Sequence, residues 1–185
     1  MKNYFIEFKP FLLFLGKFFL SYLLLTFVYQ TYLDQFESKQ MEVDDITVTV
    51  ANQTAAVLSW FDSQSYTMPH LHEPSVKLFY KNKYISRIIE GCNAVSVIIL
   101  FIAFVIAFSG KLKNTIIFIL LGSALIYALN IFRIVILCMA MFSFPEYQNF
   151  LHGVVFPLFI YGVVFILWII WVNKYSFYAT KTITK

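Results

Sequence analysis

Hydrophobic and polar positions along the chain segregate into long blocks rather than short alternations. Four stretches are apolar almost without interruption: Phe11 to Tyr32, broken only by Lys17, Ser21, Thr26, Gln30 and Thr31; about Cys92 to Ser109; Thr115 to about Phe142; and Gly153 to Val172. Each approaches or exceeds the roughly 20 residues that a helix needs to cross hydrocarbon. The expected fold is therefore all-α and integral to the membrane: a four-helix transmembrane bundle with spans at about 11–32, 92–109, 115–142 and 153–172. The first stretch is longer than a signal-peptide core and has no small-x-small cleavage site, so it is expected to stay as an anchor.

One long mixed segment, residues 34–91, separates the first two spans and forms the expected outer loop of a single membrane domain covering residues 1–185. Asp44 and Asp45 can cap a helix in which Ile46, Val50, Val57, Leu58 and Phe61 fall near helical spacing. Such a helix either lies on the outer leaflet as an amphipathic segment or packs on the bundle. Pro69 and Pro74 then break the pattern. Val76–Tyr80 and Tyr84–Ile89 are β-prone runs around Lys81, Asn82 and Lys83, a spacing that suits a short hairpin leading into Cys92.

Composition supports the membrane assignment. Of 185 residues, 60% are hydrophobic, 20% aromatic and only 13% charged, against about a quarter charged in an ordinary soluble domain. Twenty-two Phe and twelve Tyr exclude a disordered chain. The net charge of +4 is carried by scattered Lys and Arg rather than a cluster, which argues against nucleic acid as a partner. The basic residues report topology instead. Lys2, Lys9, Lys111, Lys113, Lys174, Lys181 and Lys185 fall on one side, and the short connection 143–152 on the other side holds none. Both termini are expected in the cytoplasm. Lys77, Lys81, Lys83 and Arg87 lie on the opposite side, but in a long loop where eight acids outnumber five bases, and long loops weigh less in the rule.

Polar side chains inside the spans need a reason. Lys17 is close enough to the cytoplasmic end to snorkel. Arg133 lies nine residues before Phe142, roughly 14 Å along the helix, and Asn130 precedes it by three positions on the same face. Cys92 opens the second span from the outer side with Ser96 one turn deeper, and His152 opens the fourth. The topology brings a thiol, an imidazole and a guanidinium to one level. A thiol beside such groups ionises more readily. His152 can take its proton and return it to a leaving amine. Arg133, with Asn130 as second donor or as its orienting group, can stabilise an oxyanion. The chemistry suggested is acyl transfer through a thioester, in peptide cleavage or transpeptidation.

Gly91-Cys92-Asn93-Ala94 with Ser96, then Asn130-Ile131-Phe132-Arg133-Ile134, then His152-Gly153, resemble in order and placement the three motifs of the exosortase and archaeosortase family of membrane cysteine transpeptidases. Length and span number look most like the short F-type exosortases, over roughly residues 40 to 170. The resemblance implies Cys92 as nucleophile with Arg133 and His152 as catalytic partners, supported by Asn130, Ser96 and Asn93. It further implies membrane-anchored protein substrates with a C-terminal sorting signal, cleaved at the outer face of a bacterial inner membrane, with an envelope acceptor for the new C-terminus. No metal and no other cofactor is expected. Two departures stand out: Asn93-Ala94 follows the cysteine where the family often has Ser-Gly, and many members have more spans.

Other residues have plainer expectations. Cys138 is a small buried thiol or a disulfide partner of Cys92. His70, His72 and Glu73 are an exposed loop cluster or weak metal ligands. Pro157 kinks the fourth span, Trp168 and Trp171 anchor at the inner interface, and the glycines give no clear dimer motif. The competing function is a small transporter subunit or an assembly scaffold, with Arg133 and Asn130 lining a path for an anionic ligand.

Overall fold

A computed structural model describes residues 4–37 and 42–177. Lys2, Lys181 and Lys185, which enter the charge balance above, lie outside the described residues. The order of elements is helix α1 (Tyr4–Glu37), α2 (Asp45–Ser59), strands β1 (Tyr66–Pro69), β2 (Val76–Tyr80) and β3 (Lys83–Ile88), a 3-10 turn Glu90–Cys92, then α3 (Val95–Ala107) and α4 (Leu112–Ser143). The remainder is a helical run Pro145–Tyr175. It comprises a 3-10 turn Pro145–Tyr147, the single turn α5 (Gln148–Phe150), a π turn Leu151–Val155, α6 (Phe156–Ile170) and a second π turn Trp171–Tyr175.

Three helical segments are long and apolar enough to cross a membrane: Lys9–Phe36, Leu112–Ser143 and Pro145–Tyr175. The stretch expected as the second span forms a helix of only 13 residues, about 20 Å against a hydrocarbon core of about 30 Å. It is short because residues 90–94 are spent on a turn that ends with Ala94 in the left-handed region (φ 67°), and because the helical backbone ends at Phe108 (φ −86°, ψ 78°). The 32-residue α4 therefore outruns its antiparallel neighbour α3. From Asn130 to Ser143 it continues for about 20 Å, and that exposed length is where the rest of the outer segment packs.

Two cores result. In the outer one, Val50, Ala51, Ala55 and Leu58 of α2 meet Val76, Leu78 and Tyr80 of β2, Ile88 of β3, and Ile131, Ile134, Val135 and Cys138 of α4. Of the two arrangements open for α2, packing on the bundle is the one adopted. Its inward stripe is Thr47, Val50, Ala51, Thr54, Ala55 and Leu58, at the spacing of one helical face, while Phe61 lies outside it and is exposed. Asp44 caps the helix, accepting from the Thr47 N–H at 2.9 Å, and Tyr127 of α4 donates to Gln53 at 2.8 Å.

The sheet is antiparallel in the order β1-β2-β3. The β2–β3 hairpin turns at Lys81 and Asn82, both with positive φ (52° and 57°), as a two-residue hairpin turn requires. β1 was not expected beside Pro69, but it is an edge strand ending at that proline, a position where the missing N–H is tolerated.

In the inner core, Phe101 and Val105 of α3, Ile126 of α4, Ile160 and Val164 of α6, and Trp171 interlock. Trp171 is not an interfacial anchor. It is fully buried, and its indole N–H donates to the Phe108 carbonyl at 2.9 Å, satisfying a group that the end of α3 leaves free. Trp168 stacks on Phe104 with centroids 4.1 Å apart. Gly122 lets α4 approach Phe101, whose ring atom would lie 2.3 Å from an added Cβ. α1 packs along α3 and leaves Leu20 and Phe27 largely exposed. Lys17 donates to Ser109 at 2.8 Å, and Phe177 N–H bonds the Ser109 carbonyl at 3.0 Å. The start of α1, the α3–α4 connection and the end of the helical run thus share one end of the bundle, opposite the sheet.

Candidate active site

The segment carrying Cys92 is built by local rules. Ile89 leaves β3 in extended conformation, and the chain folds into the 3-10 turn, with Cys92 N–H bonded to Ile89 C=O at 2.8 Å and Asn93 N–H to Glu90 C=O at 3.1 Å. Asn93 then joins three helices. Its side-chain oxygen accepts the first N–H of α3, from Val95, at 3.0 Å. Its amide nitrogen donates to the Tyr29 hydroxyl of α1 at 2.8 Å and to Thr47 of α2 at 3.2 Å. Ala94 completes the turn in a left-handed conformation that favours glycine.

Asn130 lies at the level where α3 begins. It is almost fully buried, its amide nitrogen donates to the Cys92 carbonyl at 2.7 Å, and its oxygen accepts from Arg133 Nη1 at 3.3 Å. One side chain therefore holds both the backbone of the cysteine and the guanidinium. One of the two amide N–H donors of Asn130 is thereby committed to the Cys92 carbonyl. Arg133 is partly buried, and its Nε has no hydrogen-bond partner among the described residues, leaving a directed donor of the kind that a ligand oxygen can occupy. The cap of α2 and sheet packs on the adjoining face of α4, so the arginine sits beneath protein rather than facing only hydrocarbon.

His152 is exposed in the π turn Leu151–Val155. Pro157 follows at the start of α6. Lacking an N–H, it cannot close an α-type bond on the Gly153 carbonyl, and the helix is widened there, with Phe156 N–H bonding Leu151 instead. Cys92, Arg133 and His152 line one cavity of ≈ 590 Å³ together with residues 84–89, Ile134, Leu137, Met141, Gln148, Asn149 and Gly153. The three residues singled out from separate segments thus open on a common space.

Other expected participants fall elsewhere. Ser96 is exposed and does not line the cavity. The expectation that it shares a face with Cys92 assumed a continuous helix, whereas the turn ending at Ala94 intervenes. Cys138 and Cys92 are both free thiols, Cys138 buried in the outer core. Glu73 pairs with Arg87, His70 N–H bonds the Ser75 carbonyl at 2.9 Å, and no group of three metal-ligating side chains occurs among the described residues. The bond from Asn93 to Tyr29 had no signal in the sequence, because nothing in local pattern says which part of α1 crosses the cysteine turn.

Compared with known families, residues 10–176 match the model of the transmembrane exosortases (Exosortase_EpsH). The chain belongs to the transmembrane exosortase family. The match extends the resemblance to include α1 and the whole helical run after α4. No curated protein and no solved structure matches the chain. Membership in the exosortase family carries a membrane transpeptidase-type function and, in general terms, protein substrates that bear sorting signals.

Proposed function

We propose that this exosortase is a cysteine transpeptidase of the short F type that removes C-terminal sorting signals of exported proteins at the outer face of the bacterial inner membrane. Cys92 is the nucleophile. Its sulfur attacks the scissile carbonyl, the C–N bond breaks, and His152, having taken the thiol proton, returns it to the leaving amine. Arg133 stabilises the oxyanion with its unpartnered donor, and Asn130 positions both the arginine and the cysteine backbone. An envelope nucleophile or water then resolves the thioester. The observation that carries this reading is the bridge of Asn130 between the Cys92 carbonyl and the Arg133 guanidinium, two residues that line one cavity with His152.

In this reading both termini are cytoplasmic, with Lys9, Lys111, Lys113 and Lys174 at that end. α3 crosses as the short second span of four, and its length sets the thiol below the outer ends of its neighbours, beneath the cap formed by residues 42–91. The bilayer and a membrane-anchored substrate are the partners.

The test uses cells expressing a membrane-anchored substrate with the wild type or with Cys92→Ala, Arg133→Ala or His152→Ala, reading the intact mass of the substrate. Clipping by the wild type and by none of the three variants, each still present in the membrane, is expected. Clipping by Cys92→Ala at the wild-type rate would sink the reading. The mass of the new C-terminus identifies the acceptor.

A further inference from the structure

β3 is an edge strand. Among the described residues its one strand neighbour is β2, and no further strand pairs with its other side. In an antiparallel pair every second residue turns its N–H and C=O toward the partner, and the others turn them away; in β3 this alternation is interrupted at Ile85, an extra residue between the Leu78–Ser86 and Phe79–Tyr84 pairs. Among the described residues, no backbone bond joins residues 83–88 to any element other than β2. An open edge of this kind invites another strand and is normally short, covered or charged in a stable protein. Here five of the six β3 residues, Tyr84 to Ile88, line the cavity that holds Cys92.

Three further features select the occupant. The strand leads directly into the cysteine turn, since Ile89 also lines the cavity and accepts the Cys92 N–H at 2.8 Å. The opposite wall is apolar where α4 contributes Ile134, Leu137 and Met141. The ionisable cavity residues include Arg87, Arg133 and His152, and no carboxylate is present in the lining. Arg87 is already paired with Glu73, which leaves Arg133 and His152 as the donors that complement a row of carbonyl oxygens. An extended polypeptide is the ligand that offers alternating backbone donors and acceptors to the strand and carbonyls to the arginine.

We propose that the substrate docks by adding a strand along the free edge of β3, with main-chain hydrogen bonds aligning it so that its scissile carbonyl reaches Cys92. This rests on the assignment of Cys92 as nucleophile. The six residues of β3 span about 20 Å at roughly 3.3 Å per residue, enough to hold a short extended segment. Recognition then lies chiefly in the backbone, with side chains read at every second position. Loss of a substrate N–H weakens docking at alternate positions and leaves the intervening ones unaffected.

The test uses full-length protein in detergent and a synthetic ten-residue peptide spanning the scissile bond of an anchored protein whose clipping is lost with Cys92→Ala. Each peptide N–H is methylated in turn. KM is expected to rise about tenfold at every second position of the segment paired with β3, with the alternation changing phase opposite Ile85 and kcat little changed. In a second arm, Ser86→Cys in a Cys92→Ala background is cross-linked to peptides carrying one cysteine each, and cross-linking is expected to favour alternate positions. Cys92-dependent cleavage with a flat methylation profile and no positional preference in cross-linking would overturn strand addition while leaving the nucleophile assignment intact. Absence of Cys92-dependent cleavage of any anchored protein would overturn both.

Discussion

The two halves of α4 are packed by different means. Its outer half meets mostly aliphatic residues of α2, β2 and β3, with a ring pair of Tyr80 and Phe142 and polar ties at the edges such as Tyr127 to Gln53. Its inner half meets rings: Phe118 lies 5.0 Å from Trp171, and Phe101 fills the space over Gly122. Water outside the cap rewards burial of apolar area. Lipid does not, so helices there associate by close fit and by satisfying stranded backbone groups, as Trp171 does for Phe108. Ile126 belongs to the inner core and Ile131 to the outer, and Asn130 lies between them. The candidate site occupies this border, where a polar cluster has protein above it and an apolar bundle below.

Substitutions can break that contrast. Trp171→Ala removes the largest fully buried side chain of the inner core and the bond to Phe108. A loss of about 3–5 kcal/mol is expected, read as a lower melting temperature in detergent, whereas Trp171→Phe recovers most of the packing. Gly122→Ala forces a methyl into the Phe101 ring, and overpacking of about 1–3 kcal/mol should follow. If it melts like wild type, the inner core is looser than its geometry indicates.

Asn130→Ala should destabilise by a similar amount, about 1–3 kcal/mol, because it strands the Cys92 carbonyl. It differs in one respect: compared at equal folded protein, its turnover should fall at least tenfold while Gly122→Ala retains turnover. Equal activities would make Asn130 a purely structural tie. Ala94→Gly should act in the opposite direction, raising stability by about 1 kcal/mol because a left-handed residue loses its Cβ penalty. Smallest of all, Lys81→Asn combined with Asn82→Gly suits the positive-φ hairpin turn. A gain of a few tenths of a kcal/mol at the outer end is expected, with no effect on the inner core.

Much of this architecture is legible in single residues and their spacing. The long apolar runs mark three membrane-length helical segments, since hydropathy over about 20 residues is a local property. Asn130 and Arg133 stand out because polar groups among Ile, Leu and Phe demand partners. The same local reasoning goes astray at Ser96, which does not line the cavity, and at Trp171, which is buried. Helical periodicity was extended through residues 92–96, although Asn93 and Ala94 break it, and tryptophan near a helix end is usually an interfacial anchor. Neither error can be detected without knowing what packs opposite.

The sequence by itself determined the membrane class, the helical runs, the β-prone hairpin and the residue types able to support acyl transfer, because hydropathy, turn preference and side-chain chemistry act over a few neighbouring positions. Tertiary structure decided the rest. The short α3 begins only beside Asn130 while α4 continues past it, and that difference in length creates the ledge on which α2 and the sheet pack. It also turns the edge of β3 toward the cysteine and brings residues 92, 133 and 152 to one cavity. These relations join positions from 19 residues apart, Arg133 and His152, to 74 apart, Gln53 and Tyr127, and they arise from which surfaces can be buried together rather than from any local preference of the chain.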